Sequence, residues 1–328
     1  MSSRQLMRLI LLVQALAALG IAAAAMAWRD LAWWQAAALG VGSVALVRLL
    51  INTNNFLMAA RRASPTPPEF QLTPAQALRM VWEEFSTSML TTSWHMPRAR
   101  ARTRIYPDAR HPPVLLLHGY GCNSGYWANL APLLDAARIS HATLDLEPLT
   151  GDIDGYAQRI EDAARQLRLQ AGAPQLVVVA HSMGGLAARA WMRIHGAQQV
   201  ARLVTLGTPH HGTCLAAFGI GINAGQMRRM GVAGPECAWL RALSGAEQPS
   251  MRARITSIYS HHDNIVAPQA SGELPGARNL AFGGVGHVAL GRNPRVLAAV
   301  LGELDALREE VPDAPCIDRG AAAAVQHH

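Results

Sequence analysis

The stretch "VVVAHSMGGLAAR", residues 177–189, runs a block of β-branched residues straight into a serine and two glycines, then becomes helical in composition. Valine fits a pleated, half-buried surface, whereas leucine, alanine and arginine are good helix formers. The pattern predicts a strand over 176–180 and a helix over 183–195, joined at Ser182 by a sharp turn for which Gly184 and Gly185 leave room. Upstream, strands are expected at Val114–His118 and His141–Asp145, each followed by a helical stretch, Tyr126–Ala137 and Tyr156–Gln170. Downstream come strands at Ala201–Leu206, Ile255–Ser260 and Asn279–Phe282. A last helix is opened by Asn293 and Pro294, with Leu297, Val300, Leu301 and Leu304 on one face. Strands separated by helices of this length imply an α/β domain whose mostly parallel sheet is flanked by helices.

The chain has 328 residues, half of them hydrophobic, which is ample for one large core. All 29 basic residues are arginine, and the net charge is +7. Six of those arginines and one of the 22 acidic residues fall within residues 1–62, leaving 23 basic and 21 acidic residues in the remainder. That near-neutral remainder gives no support to nucleic-acid binding. Residues 9–28 are uncharged and long enough to cross hydrocarbon, and a second apolar run over 31–50 follows at once. One reading of the first run is a cleaved signal peptide, with Arg4 and Arg8 before it and Ala25-Met26-Ala27 as the cleavage site. The second run has no role in a simple signal peptide, whereas Arg29 and Asp30 make a compact polar tip between two spans, so a transmembrane hairpin is the expectation. Arg4 and Arg8 on one flank and Arg48, Arg61 and Arg62 on the other put both ends, and the large domain, on the cytoplasmic side of a bacterial inner membrane; a periplasmic or secreted domain is the alternative.

"ASPTPPEFQLTP", residues 63–74, reads as a proline-rich linker. Thr73 and Pro74 then resemble the cap and first turn of an amphipathic helix with Leu78, Val81, Trp82, Phe85 and Met89 at helical spacing. Together, residues 63–111 form a linker and docked helix. Arg98, Arg100, Arg102 and Arg104 alternate as on the solvated face of an edge strand, with lipid phosphates as the competing partner. The four cysteines, Cys122, Cys214, Cys237 and Cys316, match no zinc spacing. Reduced thiols are expected in a cytoplasmic domain, and a Cys214–Cys237 disulfide in an oxidising compartment. The tail over 311–328 is expected to be disordered.

The chemistry-bearing residues fall at the ends of the expected strands. Ser182 lies where a strained strand-to-helix turn would expose its hydroxyl beside the positive end of the next helix, the geometry of a nucleophile elbow. Position 180 is alanine where the common G-x-S-x-G pattern has glycine. In "LLLHGYGCNSGYW", residues 115–127, a turn after the first buried strand can aim the Tyr120 N–H at the same point, so Tyr120 and Met183 would form an oxyanion hole through their backbones. "YSHHDNIVAP", residues 259–268, ends a strand with Asp263, and "GVGHVAL", residues 284–290, carries His287 on a glycine-rich loop. Asp263 could instead cap a turn, with His262 or Asp145 near in space. His118, His210, His211, His261 and His262 raise a metal reading, but structural histidines are favoured. Asp152 and Asp154 read as a loop residue and a helix cap rather than calcium ligands.

In that order "HGYG", "AHSMGG", "LGTPHHGT" (206–213), "DNIVAP" and "GVGH" resemble the α/β-hydrolase fold family, and within it the bacterial triacylglycerol lipases and carboxylesterases, over roughly residues 112–310. The resemblance implies a serine carboxylester hydrolase with Ser182, Asp263 and His287 as its triad, no metal and no cofactor. The apolar, glycine-punctuated residues 214–250 lie where this family often inserts a helical cap or lid, which points to an acyl-ester or lipid substrate at a membrane. The same triad serves phospholipases, thioesterases, polyester depolymerases and acyltransferases. A catalytically silent membrane scaffold is the non-enzymatic alternative.

Overall fold

The computed structural model describes residues 2–308. Two long helices, α1 (Ser3–Arg29) and α2 (Trp33–Ala60), fold back on each other at Asp30, whose left-handed backbone (φ 50°) ends α1. Both are long and apolar enough to cross a membrane. They touch through small residues: a Cβ on Gly40 would lie 2.2 Å from the Ala18 carbonyl oxygen, so backbone meets backbone there. The second helix runs ten residues beyond the expected 31–50, because nothing in "INTNNFLMAA" breaks it before the turn at Arg61.

The proline-rich stretch is strapped to the domain rather than free. Ser64 bonds Gln269 and Ala270, and Phe70 stacks on His261 at 4.7 Å. Helix α3 (Pro74–Leu90) opens with Thr73 and Gln76 in a capping box, as Thr-Pro-x-Gln implies. Its docked face differs from the expected one: Met80, Glu84 and Thr87 are buried, while Leu78 and Trp82 are exposed. The buried stripe is set by Glu84, whose carboxylate finds two amide partners in the domain; of the expected apolar stripe Leu78 and Trp82 are turned outward, while Val81, Phe85 and Met89 are half-buried. A π-helical turn at Thr91–His95 leads into α4 (Met96–Arg98).

The sheet has seven strands: β1 (Thr103–Arg104), β2 (Val114–Leu117), β3 (His141–Leu144), β4 (Leu176–His181), β5 (Val200–Leu206), β6 (Ile255–Ser260) and β7 (Arg278–Phe282). Their spatial order is β1-β3-β2-β4-β5-β6-β7, parallel throughout except for β1, which pairs antiparallel with β3. Of the alternating arginines only Arg104 lies in that edge strand; Arg98 sits in a helix and stacks over Trp94 at 3.6 Å. The remaining helices are α5 (Ala131–Ala136), α6 (Ala157–Ala171), α7 (Met183–His195), α8 (Ile222–Gln226), α9 (Ala238–Ala246), α10 (Pro249–Arg252) and α11 (Pro294–Asp305). The helix expected over 126–137 is split into a 3-10 turn at Ser124–Ala128 and α5, since Pro132 cannot donate into a preceding turn.

Strand side chains alternate between two buried layers, as a sheet covered on both faces requires. Leu115, Leu117, Val178 and Ala180 pack with Ile160, Leu167, Leu186 and Trp191 of α6 and α7. Val114, Leu116, Val177 and Val179 pack with Leu134, Val296 and Val300 of α5 and α11. Cys214 and Cys237 are free thiols, so the disulfide considered from sequence is not formed; Cys237 Sγ instead lies 3.0 Å from the Gln226 carbonyl oxygen. Cys316 and the alanine-rich tail lie outside the described residues.

Candidate active site

Strand β2 is followed by its neighbour β3 on one side, and the chain then crosses to β4 on the other, so the crevice beyond the carboxyl ends of β2 and β4 is the switch point where open α/β sheets bind ligands. Ser182 occupies it at the end of β4, with φ 55° and ψ −126°, a strained backbone for a residue with a Cβ. The turn is held by close approaches only glycine allows. A Cβ on Gly184 would lie 2.6 Å from the His118 carbonyl oxygen, and one on Gly185 would lie 2.1 Å from Thr208 Oγ1. Thr208 Oγ1 donates to the Ser182 carbonyl at 2.9 Å, closing the turn from the β5 side. Ala180 is fully buried, and the small side chain replaces the usual glycine without disturbing the strand.

Asp263 and His287 come together after β6 and β7. His287 Nδ1–H donates to Asp263 Oδ2 at 2.7 Å, leaving Nε2 as the acceptor nitrogen. The other carboxylate oxygen accepts the Ile265 and Val266 N–H groups at 2.8 and 2.7 Å, so Asp263 is fixed by the backbone of its own loop. Burial works against a charged imidazole, but the charge and hydrogen bond of Asp263, with the charge of Glu84, outweigh it and hold His287 above the usual histidine range. Gly207, just beyond the end of β5, allows this closeness: a Cβ there would be 3.1 Å from Asp263 Oδ2 and 3.2 Å from His287 Nδ1. The Ser182 hydroxyl and His287 Nε2 have no hydrogen-bond partner among the described residues, and no bond joins them in this arrangement.

The Tyr120 turn packs directly on the serine, since a Cβ on Gly119 would lie 2.8 Å from Ser182 Cβ. Neither the Tyr120 nor the Met183 N–H donates a hydrogen bond among the described residues, which leaves two amides at the mouth of α7. His118 braces this turn, donating from Nδ1 to the Gly119 carbonyl at 2.9 Å and accepting the Leu146 N–H at Nε2. Burial keeps it below the usual imidazole range, hence neutral. Tyr120 also acts through its side chain, a role the sequence did not suggest: its hydroxyl donates to the Ile220 carbonyl and accepts the Ile220 N–H.

Other sequence candidates have different places. Asp145 accepts the Ser124 N–H at 2.7 Å, away from His287. His262 Nδ1 accepts the Gly284 N–H, and His211 pairs with Glu236 at 2.6 Å. His210 sits by Arg189, Thr205 and Ser257 in the core. Asp152 accepts the Asp154 N–H, and Asp154 pairs with Arg193 and Trp239. Among the described residues no cluster of His, Cys, Asp and Glu is arranged to hold a metal ion.

Three further residues reach the imidazole loop. Asn264 Oδ1 accepts the His287 N–H at 2.9 Å. His181, kept well below its usual range by burial and the His287 charge, donates from Nε2 to the His287 carbonyl at 3.2 Å. Buried Glu84, from α3, accepts the Val288 and Ala289 N–H groups at 3.0 and 2.8 Å, one on each oxygen. Burial raises its pKa while those amides and His287 pull it down; the net direction is upward. Its place four residues beyond Met80, on the same face of α3, was the sequence signal for it. The insertion after β5 comprises a 3-10 turn at Cys214–Phe218, α8, two short bridges and α9. Its far end is held by a buried ion pair in which Arg189 of α7 bonds both oxygens of Glu247 at 2.6 and 2.8 Å. Between the insertion and Ser182 lies a mostly apolar cavity of about 250 Å³.

The family described as alpha/beta hydrolase fold matches residues 112–230. A lipase of Bacillus licheniformis in its mature form superposes with a TM-score of 0.52 at 20% identity, over 62% of this chain and 97% of that one. Lipase B of Aspergillus fumigatus gives 0.53 at 21%, over 61% and 54%. In sequence, a pimeloyl-[acyl-carrier protein] methyl ester esterase of Vibrio vulnificus is 34% identical over 95 residues, 29% of this chain and 36% of that protein. The corresponding esterase of Klebsiella pneumoniae is 35% identical over 106 residues, 32% and 38%. The chain thus spans little more than a third of the curated relatives it matches. The architecture is that of an α/β hydrolase.

Proposed function

We propose that the protein is a membrane-anchored serine carboxylester hydrolase. The observation that carries this reading is the 2.7 Å pairing of His287 with Asp263 against a strained Ser182 at the switch point of the sheet. A serine hydroxyl is a weak nucleophile at its own pKa, so His287 Nε2 takes its proton as Oγ attacks the ester carbonyl. Asp263 holds the ring in the required tautomer and stabilises the imidazolium. The Tyr120 and Met183 N–H groups receive the developing oxyanion, each such donor being worth about 3–4 kcal/mol of transition-state stabilisation. His287 then returns the proton to the departing alcohol, and water activated by the same ring hydrolyses the acyl-enzyme at Ser182. Residues 214–250 serve as an apolar cap, and α1 and α2 as a transmembrane hairpin with the domain on the cytoplasmic face. The ester-hydrolase names of the relatives agree with this chemistry. A panel of p-nitrophenyl esters of rising chain length tests it: hydrolysis by the wild type, lost in Ser182→Ala, supports the assignment, and hydrolysis surviving that change refutes it.

A further inference from the structure

The cavity at Ser182 is not lined by the hydrolase domain alone. Asn55 and Met58, from the last turns of α2, stand in its wall opposite Leu215, Ala216 and Phe218 of the insertion. These two residues lie outside the family match, which begins at residue 112. The position of this wall relative to a bilayer follows from helix geometry. Trp28, Trp33 and Trp34 crowd the Asp30 tip, exposed, where an interfacial aromatic belt belongs. A hydrocarbon core of about 30 Å consumes about 20 residues at 1.5 Å each. Counted from those tryptophans, the near boundary falls close to Arg8 on α1 and no later than Asn55 on α2, with Arg48, bonded to Thr92 and Ser93 of the domain, at its edge. Arg8 donates to the Pro97 carbonyl and Ser3 bonds Glu147, so the hairpin's near end is seated on the domain at that level. Met58 is about one turn further, exposed Phe218 lines the same cavity, and exposed Ile220 and Ile222 follow it in the chain. The cavity's volume, about 250 Å³, lies below the usual 300–1,000 Å³ of a pocket that engulfs a whole ligand. It suits one acyl chain, with the rest of the molecule outside.

We propose that α2 is part of the substrate site: an ester resident in the bilayer enters alongside this helix and lays its acyl chain against Met58, with Asn55 the polar contact at the mouth. The proposal rests on the hydrolase reading above and adds to it the source of the substrate and its selectivity residues. The test uses the full chain in phosphatidylcholine vesicles. Met58→Trp is expected to lower the ratio of kcat/KM for p-nitrophenyl decanoate to that for the acetate by at least about tenfold, the discrimination a methylene or more commands in an apolar pocket. Leu50→Trp, on the exposed face of the same helix, leaves that ratio within about twofold. In a second arm, 4-methylumbelliferyl oleate dissolved in the protein's own vesicles is hydrolysed at least about tenfold faster than the same ester in separate vesicles. An unchanged ratio in Met58→Trp overturns the wall, and equal rates from the two vesicle populations overturn the bilayer route, both with the hydrolase intact. A wild type inert toward every ester overturns the hydrolase reading and this inference with it.

Discussion

The sheet and the N-terminal helices reach the candidate site by different means. On the sheet side, position is dictated by backbone: Gly184, Gly185 and Gly207 stand where any Cβ would collide, and the Asp263 carboxylate is tied to amides two and three residues on. On the N-terminal side, position depends on single side chains projected from long helices, Glu84 onto the Val288 and Ala289 amides and Met58 into the cavity wall. The first arrangement resists perturbation except at the Ser182, Asp263 and His287 side chains themselves. The second can be altered residue by residue without unfolding the sheet, and it is where selectivity and tuning are expected to reside.

The contrast can be broken at its strongest point first. Ser182→Ala should lower ester hydrolysis by about 10⁴-fold or more with the melting temperature unchanged, and Asp263→Asn by about 10³–10⁴-fold through the wrong imidazole tautomer. Initial rates on p-nitrophenyl butyrate, beside thermal melts in detergent, check both. Next in size is a stability effect with no direct part in the chemistry. Glu247→Ala strands the buried Arg189 guanidinium and should cost about 3–5 kcal/mol, read as a lower denaturation midpoint.

Glu84→Gln sharpens the comparison, because it changes the N-terminal contribution alone. A neutral amide oxygen accepts one of the two N–H groups and leaves the other facing an NH₂, a loss of about 2 kcal/mol in stability. The base must be neutral to accept the serine proton, so kcat/KM falls as pH drops through the raised pKa of His287. Removing the Glu84 charge lowers that pKa and moves the acid limb to lower pH. His181 and Asp263, which also face the ring, are unchanged, and a pH–rate profile whose acid limb stays in place would assign Glu84 a packing role only. The smallest effect belongs to Tyr120→Phe, which removes two bonds to Ile220, about 1 kcal/mol. Faster proteolytic nicking near residues 219–222 measures it.

Most of the sheet side was legible in sequence because its constraints are local. Strand β4 and helix α7 follow from valine and alanine content, and Ser182 and its two glycines fall within four residues of one another. His287 and Asp263 follow from the order of strand ends. The N-terminal side was read less well, since its partners are some two hundred residues distant. Leu78 and Trp82 form the better apolar stripe, yet α3 docks through Met80 and Glu84, because a carboxylate matched to two buried amides fixes the face. The strap over 63–72 looked like a linker by composition, while its bonds to Gln269 and Ala270 depend on a loop it could only meet in the folded chain. The 3-10 break before α5 was missed for a simpler reason, the weight given to apolar spacing over Pro132.

The Glu84 contact has a bearing on how this chain could be recombined with others. The domain from residue 112 onward, transplanted onto a foreign N-terminal segment, would arrive with the Val288 and Ala289 amides uncapped and the His287 loop held from within the domain alone. Chimeras made at the family boundary near residue 112 should therefore fail where those joined ahead of residue 64 succeed, and the graftable unit is longer than the fold that names it.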